Sequence, residues 1–125
     1  NTAGGKNSVA RYMDSIERLW EVIGHLNVGL CLDTCHTWAG GIPTIDAVKG
    51  FKKLVKKIDL IHFNDSKDGF ESSRDRHENL GKGKIPKEEL EYVIKNAKTD
   101  IIVETPNGPD AQKKDIAWIK RRLKK

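Results

Sequence analysis

Three short apolar runs alternate with helical periodicity along this chain, and that alternation limits the fold more than any other feature. Val28-Gly29-Leu30-Cys31-Leu32 leads into Asp33-Thr34-Cys35-His36. Leu60-Ile61-His62-Phe63-Asn64 is followed by Asp65, and Ile101-Ile102-Val103 ends at Glu104. Short apolar runs bounded by turn signals read as buried strands. Between them, Val9, Tyr12, Met13, Ile16, Leu19, Trp20 and Ile23 recur at helical spacing, with Ser8 as the expected N-cap and Gly24 as the stop. A turn with Gly40, Gly41 and Pro43 follows the first strand. Thr44 is then expected to cap a helix carrying Ile45, Val48, Leu54 and Val55. Pro86 opens a helix with Leu90, Val93 and Ile94, and Pro109-Asp110 opens a last one with Ile116, Ile119 and Leu123. Strands separated by helices require right-handed crossovers and a parallel sheet. Three such strands are few for a domain buried on both faces, so the chain reads as part of a larger α/β barrel.

The chain has 125 residues, the length of one domain, with 37% apolar and 33% charged residues. That balance excludes a disordered tail. No apolar run approaches the ~20 residues that span a bilayer, and no signal peptide is visible. The first residue is Asn1, not Met, which suits a fragment or a processed piece. The net charge of +5 suits a phosphate polyanion and equally a solvated basic surface. The basic residues cluster at 49–57, 82–87 and 113–125. Cys31 and Cys35 have no second pair, which argues against a cysteine zinc site. Free thiols point to a reducing, intracellular setting.

Residues 65–84 are polar and lack a period, with glycines at 69, 81 and 83. A structureless stretch of this length inside a compact domain is usually functional, and this one holds Asp75 and His77. In parallel α/β barrels, functional groups gather at the C-terminal ends of the strands. Asp33, His62 and Glu104 are all placed there, a ligand set suited to Zn²⁺ or Mn²⁺. His36 joins Asp33 if the chain turns after the strand. Asp75 and His77 share a side if their segment is extended, with Arg76 pointing away. Each residue also has a plain structural reading. A strand-end Asp caps a turn or helix, and a strand His is often a satisfied core residue. Glu104 resists this, because Glu is rarely buried unpaired. His25 follows the helix stop and is read as surface. The joint pattern favours metal.

These segments resemble endonuclease IV, the zinc-dependent apurinic/apyrimidinic endonuclease family built on a TIM (β/α)8 barrel. The opening NTAGG is similar to the family's ENTAG segment, starting just after its glutamate. LCLDTCHTWAGG resembles its C-[IL]-D-T-C-H signature. LIHFNDSKDGFESSRDRHENLGKGKI resembles its H-x-N-D-[AS]-K…DRH-x-x-[LI]-G-x-G-x-I stretch, and IIVETPN resembles the strand of its final glutamate. The resemblance covers the family's C-terminal portion and implies an α/β fold, the C-terminal part of a TIM barrel. It implies that His36, Asp75 and His77 hold one zinc and that Asp33, His62 and Glu104 hold a second. A glutamate just before Asn1 would bridge the second to a third zinc, and two further histidines would lie on earlier strands. Six of nine ligands would then be in this chain. The implied reaction is hydrolysis of the phosphodiester 5′ to an abasic site in double-stranded DNA, leaving a 3′-hydroxyl. No protein nucleophile is needed, because metal lowers the pKa of bound water from ~16 to roughly 7. Lys67, Ser73, Arg74 and Arg76 lie on the long loop and are the expected DNA contacts, Arg76 foremost. A monomer is expected for the full-length protein.

Two other readings stand beside this one. A sugar isomerase or epimerase of the xylose-isomerase-like barrel superfamily would use Asp33, His62 and Glu104 but has no place for His36 and the DRH segment. An inactive metal- or DNA-binding fragment is favoured by an open sheet edge.

Overall fold

Backbone hydrogen bonding joins the three apolar runs as neighbours in one parallel sheet. The computed structural model describes residues 1–2 and 7–124. Residues 3–5 of the NTAGG segment, and Lys125 of the last basic cluster, lie outside the described residues. In chain order the elements are α1 (Met13–Ile23), β1 (Cys31–Asp33), α2 (Thr34–Gly40), α3 (Thr44–Leu54), β2 (Leu60–Phe63), β3 (Asp65–Ser66), β4 (His77–Glu78), α4 (Lys87–Ala97), β5 (Ile101–Val103) and α5 (Gly108–Leu123). The sheet order is β1-β2-β5, and β3 and β4 form a separate antiparallel pair.

The register sets the two faces. Leu32 pairs with Ile61, Asp33 with His62, His62 with Ile102 and Phe63 with Val103. Side chains alternate along a strand, so Leu32, Ile61 and Phe63 share one face, which is fully buried. That face packs with Phe51, Val48, Leu90, Val93 and Trp118 from the helices. The opposite face carries Asp33, His62 and Ile102. It is open, with Ile102 49% exposed. An α/β sheet covered on one side only is the expected form of part of a barrel.

Several local expectations are corrected. Helix α1 starts at Met13 instead of near Ser8. Ala10 has φ 59° and Tyr12 is extended, so the chain turns before it coils. That turn sends Arg11 into the interior, where its Nε donates to the Gly40 carbonyl. Strand β1 begins at Cys31 instead of Val28, which is 47% exposed. The segment after Asp33 is a helix, not a turn. Thr44 is the first residue of α3 and caps nothing, because Pro43 occupies the cap position. Val55 lies just beyond that helix.

The 65–84 loop is also more ordered than its polarity suggests. Asp65 is fully buried, and one carboxylate gathers four backbone N–H groups. Oδ1 accepts from Ser66 (2.8 Å) and Ile85 (3.1 Å), and Oδ2 accepts from Gly81 and Gly83 (both 3.0 Å). Burial holds its pKa above the usual carboxylate value, against the pull of those N–H groups. Gly83 passes so close that a Cβ there would lie 2.3 Å from the Ser66 carbonyl oxygen. At the far end, Asp115 of α5 accepts from Leu80 N (3.0 Å) and Asn79 Nδ2 (2.7 Å). We expect Asp65→Asn to turn an NH2 group against N–H donors and to lower unfolding stability by about 2 kcal/mol or more, measured by urea denaturation. An unchanged midpoint would remove Asp65 as the loop's anchor.

Candidate metal centre

The parallel register brings Asp33 and His62 side by side at the C-terminal ends of β1 and β2. Glu104 follows β5 directly, its N–H donating to the Phe63 carbonyl at 3.2 Å. His62 Nδ1 lies 3.0 Å from Glu104 Oε2 and 3.8 Å from Asp33 Oδ2. Asp33 divides its oxygens. Oδ1 accepts the His36 N–H at 3.0 Å and caps α2. Oδ2 is buried without a hydrogen-bond partner and lies 3.8 Å from the Nδ1 atoms of both His36 and His62. The capping and ligand readings of Asp33 therefore use different atoms of one side chain.

Helix α2 delivers His36. Asn64, fully buried just past β2, fixes the start of that helix. Its Oδ1 accepts from Cys35 N (2.7 Å), and its N–H donates to Thr34 Oγ1 (2.9 Å). The β3-β4 pair delivers Asp75 and His77. His77 Nδ1 lies 2.7 Å from the Glu104 carbonyl oxygen, and His36 Nδ1 lies 3.0 Å from that of Asn1. A carbonyl only accepts, so in both rings Nδ1 is the donor, which leaves Nε2 as the atom that could bind a metal. Both Nε2 atoms lie near Asp75. His36 Nε2 is 3.0 Å from Oδ2, and His77 Nε2 is 3.0 Å from Oδ1. A cation among these atoms would meet both imidazoles and the carboxylate. His77 Nε2 is itself buried without a hydrogen-bond partner. The orphaned atoms and the N/O donor set therefore fit metal ions.

The six residues named from sequence lie near one mouth, where Asp33-His62-Glu104 forms one group and the implied His36-Asp75-His77 set is split between two others. Taking ligand atoms within 4.8 Å of one another, the described residues form three groups: Asp33-His62-Glu104, Asp33-His36-His77 and Cys35-Asp75-His77. Asp33 is common to two of them. Cys35 was not foreseen in any, although it stands beside His36. Its thiol is fully buried, and burial, helped by the charges of Asp33 and Asp75, pushes its pKa up to about 12. It is held as a neutral thiol. His25 is exposed, as expected. Asp65, which borders the strand carrying His62, is a structural anchor.

The expected DNA contacts lie on the loop between β3 and β4. Lys67 and Ser73 are exposed. Ser73 sits at φ 62° with its N–H donating to the Ala39 carbonyl at 2.9 Å. Arg74 is exposed, 4.0 Å from Asp68 Oδ1. Arg76 is not free. Its Nε and Nη2 grip Asp68 at 2.8 and 2.5 Å. This fork holds the Asp68 carboxyl below its usual value and the Arg76 guanidinium above its own.

A carboxylate-imidazole mouth that could hold metal, at the strand ends of a parallel α/β sheet, defines the chain as part of an α/β barrel. Residues 1–122 match the model of the xylose isomerase-like TIM barrel family, and the chain belongs to that family. It is 46% identical over 123 residues to a probable endonuclease 4 of Mycobacterium ulcerans (strain Agy99), covering 98% of this chain and 48% of the relative. It is 48% identical over 122 residues to a probable endonuclease 4 of Mycobacterium tuberculosis (strain ATCC 25177 / H37Ra), with the same coverage. The crystal structure of endonuclease IV from Thermus thermophilus superposes with a TM-score of 0.79 at 29% identity, covering 99% of this chain and 48% of that one. A xylose isomerase domain protein from Alicyclobacillus acidocaldarius shares the fold, with a TM-score of 0.62 at 21% identity over 90% of this chain and 42% of that one. The chain spans about half the length of the curated relatives it matches. Among the described residues, no helix is long and apolar enough to cross a membrane.

The state of Cys35 is directly testable. At pH 8 its alkylation by iodoacetamide in the folded protein should run more than about a hundredfold slower than that of a free cysteine, followed by mass spectrometry. Labelling at the free-thiol rate would contradict a buried neutral thiol.

Proposed function

We propose that this chain is the C-terminal portion of a metal-dependent DNA-repair endonuclease. The reaction is hydrolysis of the phosphodiester 5′ to an abasic site in double-stranded DNA, leaving a 3′-hydroxyl. One observation carries this reading. Two imidazole Nε2 atoms face one carboxylate at 3.0 Å, beside a second His-Asp-Glu group on neighbouring strand ends. An isomerase of the same family would have no use for the His36-Asp75-His77 arrangement. The relatives named endonuclease 4 support the nuclease.

In this reading His36, Asp75 and His77 hold one zinc, and Asp33, His62 and Glu104 hold a second, with a third zinc completed by the rest of the barrel. When bound, the metal ions supply activated water and neutralise phosphate charge; Mn²⁺ suits some of these positions. The protein's own part is to hold and orient. The Asn1 and Glu104 carbonyls fix the tautomers of His36 and His77, so that each offers Nε2. Asn64 sets α2 and hence the position of His36. Lys67 and Arg74 extend exposed charge beside the mouth, and Ser73 adds a hydroxyl, so the DNA backbone runs along this loop. Arg76 meets a phosphate only by giving up Asp68. A monomeric, intracellular protein fits a soluble repair enzyme.

In the full-length protein, a chelator should abolish incision of a labelled abasic-site duplex, and added zinc should restore it. His36→Ala and His77→Ala should each lower bound zinc, measured by atomic absorption, and cut the incision rate at least about a hundredfold. Unchanged zinc content and rate in both variants would sink the ligand assignment. Turnover of an aldose without DNA cleavage would favour the isomerase.

A further inference from the structure

Asp75 is the weakest-supported member of the metal mouth. Its side chain is 51% exposed, and among the described residues its carboxylate lies 3.0 Å from the two imidazoles it would serve with. Something else must hold it there. The loop that carries it, residues 67–76, is fastened on every side. Trp38 Nε1 donates to the Asp68 carbonyl at 3.0 Å. Glu71 and Ser73 donate their N–H groups to the Trp38 and Ala39 carbonyls, both at 2.9 Å. Phe70 packs edge-on against Trp38, ring centroids 5.1 Å apart. Glu71 and Ser73 both have φ 62° without being glycine. Such backbone persists only where its surroundings over-determine it. All these contacts tie the loop to α2, the helix that carries His36.

The closing contact is the Asp68-Arg76 fork. Arg76 stands between Asp75 and His77, and the Lys67 N–H donates to the Arg76 carbonyl at 3.0 Å. Successive residues of an extended segment point to opposite sides. Fixing the Arg76 side chain on one side therefore aims Asp75 and His77 at the other. Two parallel charge-assisted bonds give that fixing a definite direction. Asp68 is itself well placed for this, only 13% exposed in its side chain and with its backbone bonded to the Ser66 hydroxyl.

We propose that Asp68 and Arg76 are positioning residues of the metal centre: their paired fork holds Asp75 and His77 in ligand geometry, and Arg76 serves there instead of as a DNA-phosphate contact. The inference rests on the metal reading above and names a role for two residues outside the ligand set.

The test is zinc affinity in the full-length protein without DNA, measured by competition with a chromophoric chelator. Asp68→Asn should weaken one zinc equivalent about ten- to a hundredfold and leave the others in place. Arg76→Lys should do nearly the same, because an ammonium cannot form the fork. Asp68→Glu should recover part of the affinity. Loss of every equivalent in Asp68→Asn would mark general collapse and overturn the specific role. If Arg76 were instead a phosphate contact restrained by Asp68, Asp68→Asn would leave zinc unchanged, tighten DNA binding and steepen its salt dependence. That result overturns the proposal and spares the metal reading. A wild-type protein that takes up no zinc overturns both.

Discussion

The site depends on the two oxygens of Asp33 being used differently. One caps α2 through the His36 N–H; the other stays buried and unpartnered between His36 and His62. A buried carboxylate oxygen without a partner is costly, by roughly 1–3 kcal/mol or more for a charged group. The fold accepts this because the strand that ends at Asp33 and the helix that starts after it are covalently continuous. The same backbone step that finishes β1 begins α2 and carries His36 to the mouth. Register then supplies the rest, since Asp33 pairs with His62 and β5 ends one residue before Glu104.

A second constraint works from outside the ligand set. Backbone carbonyls make the short contacts that orient the two imidazoles near Asp75. The Glu104 carbonyl orients His77 while the Glu104 carboxylate reaches His62. One residue therefore couples the two halves of the mouth. The loop bearing Asp75 is tied down at both ends by buried carboxylates, Asp65 among backbone N–H groups and Asp115 from α5. Stiffness there keeps Asp75 at the mouth; a loose loop would leave it in solvent.

Much of this was legible in the sequence, because strand-end placement follows from the 2-to-3.6 change of period at Asp33, His62 and Glu104. The parallel order and the placing of Asp33, His62 and Glu104 follow from it, while the joining of His36, Asp75 and His77 rested on the DTCH and DRH resemblance. Other features were not legible. Helix α2 is only seven residues long and ends at a pair of glycines, so it read as a turn. The β3-β4 pair has two residues per strand, too short for any period. The anchoring role of Asp65 is equally hidden, because its partners include N–H groups of residues 81, 83 and 85, far along the chain and invisible to spacing. Arg76 read as a free cation because its partner Asp68 lies across a loop whose path depends on positive φ at Glu71 and Ser73. Cys35 beside His36 gave no sign of facing Asp75, because a helix had not been expected there.

In the proposed function, nitrogen and oxygen donors hold metal here, with the neighbouring thiol left out. Zinc K-edge X-ray absorption on the full-length, zinc-loaded protein tests that most directly. The account predicts a first shell of nitrogen and oxygen at about 2.0–2.2 Å with imidazole outer-shell scattering and no sulfur. A sulfur shell at about 2.3 Å would place Cys35 on the metal and contradict it.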